Sequence, residues 1–132
     1  MKLFRKAKDG GPESTVTGYW LIEAKKLFSI VLLRFDNGTR DSFHDHAFNS
    51  WNWILKGKVD EQFKDPGLDQ ILKPSWKPYF TSRSRMHRVR SIGTTWVLSI
   101  RGPWSDTWQE YDPQTRHTET LTHGRTVLKI VP

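Results

Sequence analysis

The chain alternates between short apolar runs and clusters of turn-forming residues. The runs are rich in aromatic and β-branched side chains, they are shorter than typical globular helices, and no sustained 3.6-residue periodicity connects them. Their spacing of about 8–12 residues is typical of a β-sandwich or β-barrel. The strand candidates, about nine or ten in number, include residues 18–24, 27–35, 50–57, 58–63, 76–82, 86–91, 94–102, 106–112 and 125–131. The sequence therefore predicts an all-β fold.

Glycine and proline interrupt this pattern at two places that affect the predicted organisation. Gly57 lies between two strand candidates and predicts a hairpin that joins them. Two glycines and a proline at residues 10–12 break the basic N-terminal segment, so residues 1–15 are interpreted as a flexible N-terminal leader. Residues 16–132 are expected to form a single domain, because a chain of this length supports one core.

Composition narrows the classes of function. The absence of cysteine excludes disulfides, thiolate metal sites and cysteine nucleophiles. No apolar run approaches the ~18 residues of a membrane span, and no signal-peptide core follows the basic N-terminus, so we expect a cytoplasmic protein with no membrane partner. A net charge of +7 favours an anionic partner. Nucleic acid is one such partner, but charge and tryptophan content alone do not favour it over a small anionic ligand.

Two histidines, His44 and His46, stand one residue apart in a predicted strand. Alternate side chains of a strand point to the same face, so these imidazoles are expected on one side of the sheet, about 7 Å apart along the backbone. Two imidazoles can bind a divalent metal ion, but such a site needs a third ligand, for which His87 is the candidate. The alternative for each histidine is a surface or hydrogen-bonded residue. The spacing favours a metal site that all three form together.

The spacing around these histidines resembles the first motif of the cupin superfamily, which runs Gly, five residues, His-x-His, three or four residues, Glu, six residues, Gly. The motif positions are filled by Gly38, His44, His46, Ser50 and Gly57, with serine in place of glutamate. The second cupin motif is matched only by its histidine. The segments "HDHAFNSWNWILKG", "MHRV" and "TTWVLSIRGPWSDTWQEY" also resemble small cupin-like proteins that are common in bacteriophage genomes.

The resemblance implies a double-stranded β-helix, or jelly roll, with a metal ion inside the barrel mouth. His44, His46 and His87 map onto the three histidine ligands of the family. Because serine is a poor ligand, either the three histidines suffice or a carboxylate is recruited, for which Glu61 and Asp60 are the nearest candidates. The alternative for both carboxylates is a solvated hairpin edge.

Such a site suits iron(II), zinc, nickel or manganese, since imidazole binds all of them. Three-histidine cupins related to thiol dioxygenases activate oxygen on iron, so the resemblance implies an iron(II) dioxygenase that acts on a small polar or anionic substrate. Arg85 shares strand parity with His87 and is expected to orient the anionic group, with a solvated strand edge as the alternative. The second hypothesis is a non-catalytic jelly-roll protein that binds a small metabolite or nucleotide. Cupins often pair through their outer sheets, so a homodimer is expected.

The tryptophans divide by strand parity. Trp51 has the opposite parity to Ser50 and is expected outside the inner barrel wall, whereas Trp96 is expected in the core. Trp104 and Trp108 flank a loop and are expected to line either the barrel mouth or a dimer interface.

Overall fold

The computed structural model describes residues 1–9, 14–36, 38–39, 43–64, 69–122 and 126–131. These residues form strands joined by turns and loops, which confirms the all-β prediction, and none of them belongs to a helix that could cross a membrane. The strands are β1 (Lys2–Lys8), β2 (Val16–Ala24), β3 (Phe28–Phe35), β4 (Gly38–Thr39), β5 (Phe43–His44), β6 (Ser50–Phe63), β7 (Gln70–Leu72), β8 (Tyr79–Thr81), β9 (His87–Arg101), β10 (Thr107–Asp112), β11 (His117–Thr122) and β12 (Thr126–Val131).

All pairings between these strands are antiparallel. The main path of the sheet runs β1-β2-β3-β9-β5-β10-β11-β12, while β4 and β6 also pair with β9, and β7 and β8 pair with β6. The two longest strands, β6 and β9, pair with each other from Ser50 opposite Arg101 to Phe63 opposite His87. The pair formed by these two strands therefore extends from Arg101 at one end to His87 at the other.

Both long strands contain a glycine in a left-handed backbone conformation. Gly57 on β6 has φ 92° and Gly93 on β9 has φ 75°, a region that other residues rarely adopt. The register between the strands shifts on either side of Lys56, so Gly57 marks a bulge within one strand. The Thr95 hydroxyl holds the bulge, because it accepts from the Lys58 N–H at 3.1 Å and donates to the Lys58 carbonyl at 2.9 Å. The hairpin predicted at Gly57 is therefore wrong.

The hydrophobic core lies on the inner face of β2, β3, β6 and β9. Its buried apolar residues are Trp20, Val31, Leu33, Ile54, Val59 and Val97. The prediction that Trp96 lies in this core is wrong, because its neighbours Thr95 and Val97 take the inward positions. Trp96 packs instead on the outer face against Tyr19, with ring centroids 6.0 Å apart.

The N-terminal segment forms a strand where the sequence predicts a flexible leader. Lys2–Lys8 pairs with β2, and its partly buried positions are Arg5 and Ala7. Arg5 makes an ion pair of 2.8 Å with the buried Glu23, and its guanidinium lies 4.2 Å from the ring centroid of Trp20. Because half of the inward face of this strand is ionic, a search for alternating apolar residues does not detect it.

An apolar row crosses the outer face of six neighbouring strands. The register places its members opposite one another in the order Leu3, Ile22, Ile30, Ile100, Trp51 and Phe80. Trp51 and Phe80 are each 50% exposed, and their ring centroids lie 5.0 Å apart. Trp51 thus lies outside the inner wall, as predicted. We call these six residues the outer apolar row, and an exposed apolar surface of this kind commonly marks an interaction site.

Candidate metal centre

Three imidazoles from two parts of the chain meet on the inner side of the sheet. His44 on β5 lies directly opposite His87 on β9 in the strand register. His46 follows β5, where its backbone N–H donates to the Arg83 carbonyl at 3.0 Å. The three ring centroids are 4.9 Å from one another in every pair, and one nitrogen from each ring lies within 4.8 Å of the others. The arrangement brings together the three histidines that the sequence predicts as a cluster.

The residue between the first two histidines fixes the position of this segment. The Asp45 carboxylate accepts from the backbone N–H of Gln109 at 2.5 Å, and the Asp45 N–H donates to the Gln109 carbonyl at 3.0 Å. Burial raises the pKa of Asp45, and the Gln109 hydrogen bond and the charge of Arg83 oppose that rise. Asp45 therefore ties the segment to β10.

A buried carboxylate orients the third imidazole. Glu61 is 3% exposed and its Oε2 lies 2.6 Å from Nδ1 of His87, while its Oε1 accepts from Gln70 at 2.6 Å. With Nδ1 donating to Glu61, Nε2 of a neutral His87 carries the lone pair, and this buried atom has no hydrogen-bond partner among the described residues. A histidine that donates one nitrogen to a carboxylate and offers the other to a metal ion is the common arrangement in metal sites.

The charge state of Glu61 suits this role. Burial alone raises the pKa of Glu61, but the hydrogen bond and charge of His87, the hydrogen bond from Gln70 and the charge of Arg85 outweigh it, so the pKa is lowered. The sequence predicts Glu61 as a candidate carboxylate ligand of the metal ion. In the structure both of its oxygens contact side chains, and it lies behind His87 instead of on a solvated edge. Asp60 faces the other way, with its carboxylate 3.7 Å from Arg90.

Arg85 does not point into the cavity, although the strand parity that it shares with His87 predicts this. It is exposed, and its guanidinium stacks 3.9 Å from the ring centroid of Phe63. The parity argument does not apply because β9 begins only at His87, and Arg85 belongs to the preceding turn, where its N–H donates to the Ser82 carbonyl at 3.2 Å. Arg85 is not among the residues that line the cavity beside the histidines.

A cavity of about 290 Å³ opens beside the three imidazoles. An aromatic wall runs along it from His46 to Phe48, Trp104 and Trp108, with successive centroid distances of 5.3, 5.2 and 6.1 Å. The two tryptophans thus line the cavity, one of the two positions predicted for them. These aromatic side chains therefore form one side of the cavity beside the histidines.

Hydrogen-bonding side chains line another part of the cavity. The Asn52 amide donates to the Ser50 hydroxyl at 3.0 Å and to the Thr81 hydroxyl at 3.3 Å. Burial and the charge of Glu61 raise the pKa of Tyr79, so its phenol remains a neutral donor. Ser50, which replaces the motif glutamate, thus belongs to a polar wall.

Arg101 also lines the cavity, although it is absent from the predicted site residues. It is 4% exposed and has the same parity on β9 as the buried Ser99 and Val97. A charged side chain at an inward position of a long apolar strand is the sequence signal that identifies it, since such a residue needs a buried partner.

The fold is similar to solved cupin structures, whereas no protein-family model and no curated protein sequence matches the chain. A sugar phosphate isomerase of the cupin superfamily from Silicibacter pomeroyi aligns with a TM-score of 0.63 and 12% identity, over 99% of this chain and 92% of that one. KdgF from Halomonas sp. aligns with a TM-score of 0.58 and 14% identity, over 80% of this chain and 97% of that one.

A putative ethanolamine utilization protein Q from Salmonella typhimurium aligns with a TM-score of 0.60 and 13% identity, over 76% of this chain and 80% of that one. Together these similarities establish a cupin jelly roll, the fold that the motif resemblance implied.

Proposed function

We propose that the protein is a metal-dependent cupin in which His44, His46 and His87 bind one divalent ion. The observation that carries the proposal is the buried Nε2 of His87, which has no hydrogen-bond partner among the described residues while Nδ1 is held by Glu61. The donor set fits, because imidazole nitrogen is a common ligand for divalent transition metals and three ligands leave coordination positions for other molecules.

The chain's own residues prepare this site in three ways. Glu61, itself held by Gln70, fixes the His87 ring and its protonated nitrogen. Asp45 holds the segment that carries the other two histidines against β10. The aromatic wall from His46 to Trp108 forms an apolar side of the cavity next to the imidazoles.

We propose further that the metal is iron(II) and that the protein is a dioxygenase acting on a small polar or anionic substrate. Bound there, iron(II) would supply Lewis acidity and redox chemistry with dioxygen. A site of three neutral imidazoles is compatible with this chemistry, because three ligands leave coordination positions open for other molecules. The polar wall around Asn52 and the phenol of Tyr79 would orient the substrate by hydrogen bonds.

Elemental analysis and oxygen consumption test these two steps separately. Purified protein supplied with iron(II) under anaerobic conditions should hold about one equivalent of metal, and the His44→Ala variant should hold much less. His117→Ala is the matched control, because His117 is exposed on β11. Equal and low metal content in all three proteins would contradict the metal centre. Metal-loaded protein that consumes no oxygen with any of a panel of small carboxylic acids and amino acids would contradict the dioxygenase.

The second candidate is a non-catalytic jelly-roll protein that binds a small metabolite. Ser50 favours it, because serine stands where the cupin motif supplies a metal-binding glutamate and instead accepts a hydrogen bond from Asn52. A non-catalytic binding protein would be stabilised by its ligand in the absence of metal, whereas the enzyme would need the metal ion to bind its substrate. Thermal melting of the metal-free protein with a panel of metabolites and nucleotides distinguishes the two.

A further inference from the structure

A row of five buried polar residues crosses the inner face of the barrel, on the other side of the sheet from the outer apolar row. The register places them opposite one another on β2, β3, β9, β6 and β8, in the order Glu23, Ser29, Arg101, Ser50 and Thr81. All five are at most 8% exposed. A buried polar group without a hydrogen-bond partner destabilises the fold, so a row of this kind requires an explanation.

Arg101 is the cation at the centre of this inner polar row. Its Nη2 and Nη1 contact the two oxygens of Asp9 at 2.8 and 3.4 Å. Its Nε is buried and has no acceptor among the described residues, and the same is true of the neighbouring Ser29 hydroxyl. One acidic partner at these distances does not use all five N–H donors of a guanidinium.

Arg101 and the histidines border the same cavity, with one ring between them. Phe48 lies with its ring centroid 5.3 Å from that of His46 and 4.5 Å from Cζ of Arg101. The other arginine of the cavity, Arg5, is only partly buried and is paired with Glu23. Arg101 is therefore placed to hold one end of a small molecule whose other end faces the three imidazoles.

We propose that Arg101 binds the carboxylate of a small organic acid in the cavity. The carboxylate accepts from Nε–H and competes with Asp9 for the other donors, and the hydroxyls of Ser50 and Thr81 accept from or donate to oxygens further along the ligand. A singly charged carboxylate suits this position better than a phosphate dianion, because Asp9 already places one negative charge beside the guanidinium. The proposal depends on the proposed function only for the group that faces the histidines.

Glycolate, with inorganic phosphate as the competing anion, is the probe that tests this subsite by calorimetric titration of metal-free protein. We expect glycolate to bind more tightly than phosphate. Arg101→Gln should weaken glycolate binding about 10- to 100-fold, as expected for loss of a charge-assisted hydrogen bond. Asp9→Asn should tighten it, because the competing carboxylate loses its charge, while the control Arg85→Gln should leave it unchanged.

Three results would overturn the subsite: equal glycolate affinity in Arg101→Gln and wild type, weaker binding in Asp9→Asn, or tighter binding of phosphate than of glycolate. If Arg101→Gln does not fold, Arg101→Lys keeps the charge, loses the planar fork, and should still weaken binding about 10-fold. His44→Ala separates this proposal from the metal centre. Glycolate binding retained in His44→Ala supports the arginine subsite, whether or not the wild type holds metal.

Discussion

Replacing the buried glutamate behind His87 tests how the candidate metal centre is built. In Glu61→Gln the amide oxygen can still accept from Nδ1 of His87, but the charge is lost, and Gln70 must rotate its own amide because it now faces an N–H donor. Loss of an outer partner of a metal-binding histidine costs about 10- to 100-fold in metal affinity. That range corresponds to about 1.4–2.7 kcal/mol. We expect the loss of metal affinity in Glu61→Gln to lie at the lower end of this range. The loss in Glu61→Ala should lie at the upper end, because this variant also leaves the Nδ1–H of His87 without an acceptor.

Competition with a chromophoric chelator measures this change directly, with zinc as a redox-inert probe at constant pH. Glu23→Gln is the matched control, because Glu23 is another buried carboxylate that lines the cavity and is paired with Arg5. It should lower the melting temperature of the metal-free protein while leaving metal affinity within about twofold of the wild-type value.

Two outcomes would contradict the orienting role of Glu61. Unchanged zinc affinity in Glu61→Gln, while His44→Ala loses binding, would mean that the carboxylate does not influence the metal through His87. Loss of zinc binding in Glu61→Gln as complete as in His44→Ala, with normal folding, would mean that the carboxylate is itself a ligand.

Three further predictions concern the fold, the pH dependence and the outer surface. Gly57→Ala should destabilise the protein by about 3 kcal/mol and lower its melting temperature by about 10 °C, because the new Cβ would lie within 2.8 Å of the Thr95 backbone; an unchanged melting temperature would contradict this. The pKa of Glu61 is lowered from its ordinary 4.5, so the ionised carboxylate stabilises the fold above that pH, and this contribution is lost as the pH falls further. Between about pH 5 and 3, the free energy of unfolding measured with denaturant should therefore fall more for wild type than for Glu61→Gln. We expect the outer apolar row to be covered by a second copy of the chain. Light scattering should then give twice the chain mass for wild type and the mass of a single chain for Trp51→Glu. A monomeric wild type would refute this interface.

The all-β fold follows from the sequence because strand length, spacing and alternation are local properties. The cluster of His44, His46 and His87 could also be predicted, because the His-x-His spacing and the histidine of the second motif indicated one common site, although His46 lies just beyond β5 and not on the same strand. Bulges are harder to predict from the sequence. Gly57 has the composition of a turn, and only the pairing of β6 with β9 along its length shows that the chain continues through it.

The sequence indicates Glu61 as a candidate carboxylate of the site, but the pairings of its charged residues could not be predicted, because each depends on a contact between distant segments. Arg101 meets Asp9 across 92 residues of sequence, and Glu61 meets His87 across 26. Arg85 shows the opposite error, since parity was counted through a turn in which strand alternation does not hold. Pairing of buried charges is a property of the tertiary structure, and one sequence gives only the weak signal of a charge at an inward position.

The bend of β9 has a consequence for the size of molecule that the barrel accepts. His87 and Arg101 are the first and last residues of the same strand, and Gly93 lies between them where the register with β6 shifts, a bulge at which paired strands bend. The separation of the imidazole and the guanidinium is therefore a property of strand curvature. Substitutions at Gly57 or Gly93 would change the length of the acid that fits between these groups without altering any side chain that touches the acid. Related proteins with identical cavity residues could therefore accept ligands of different size.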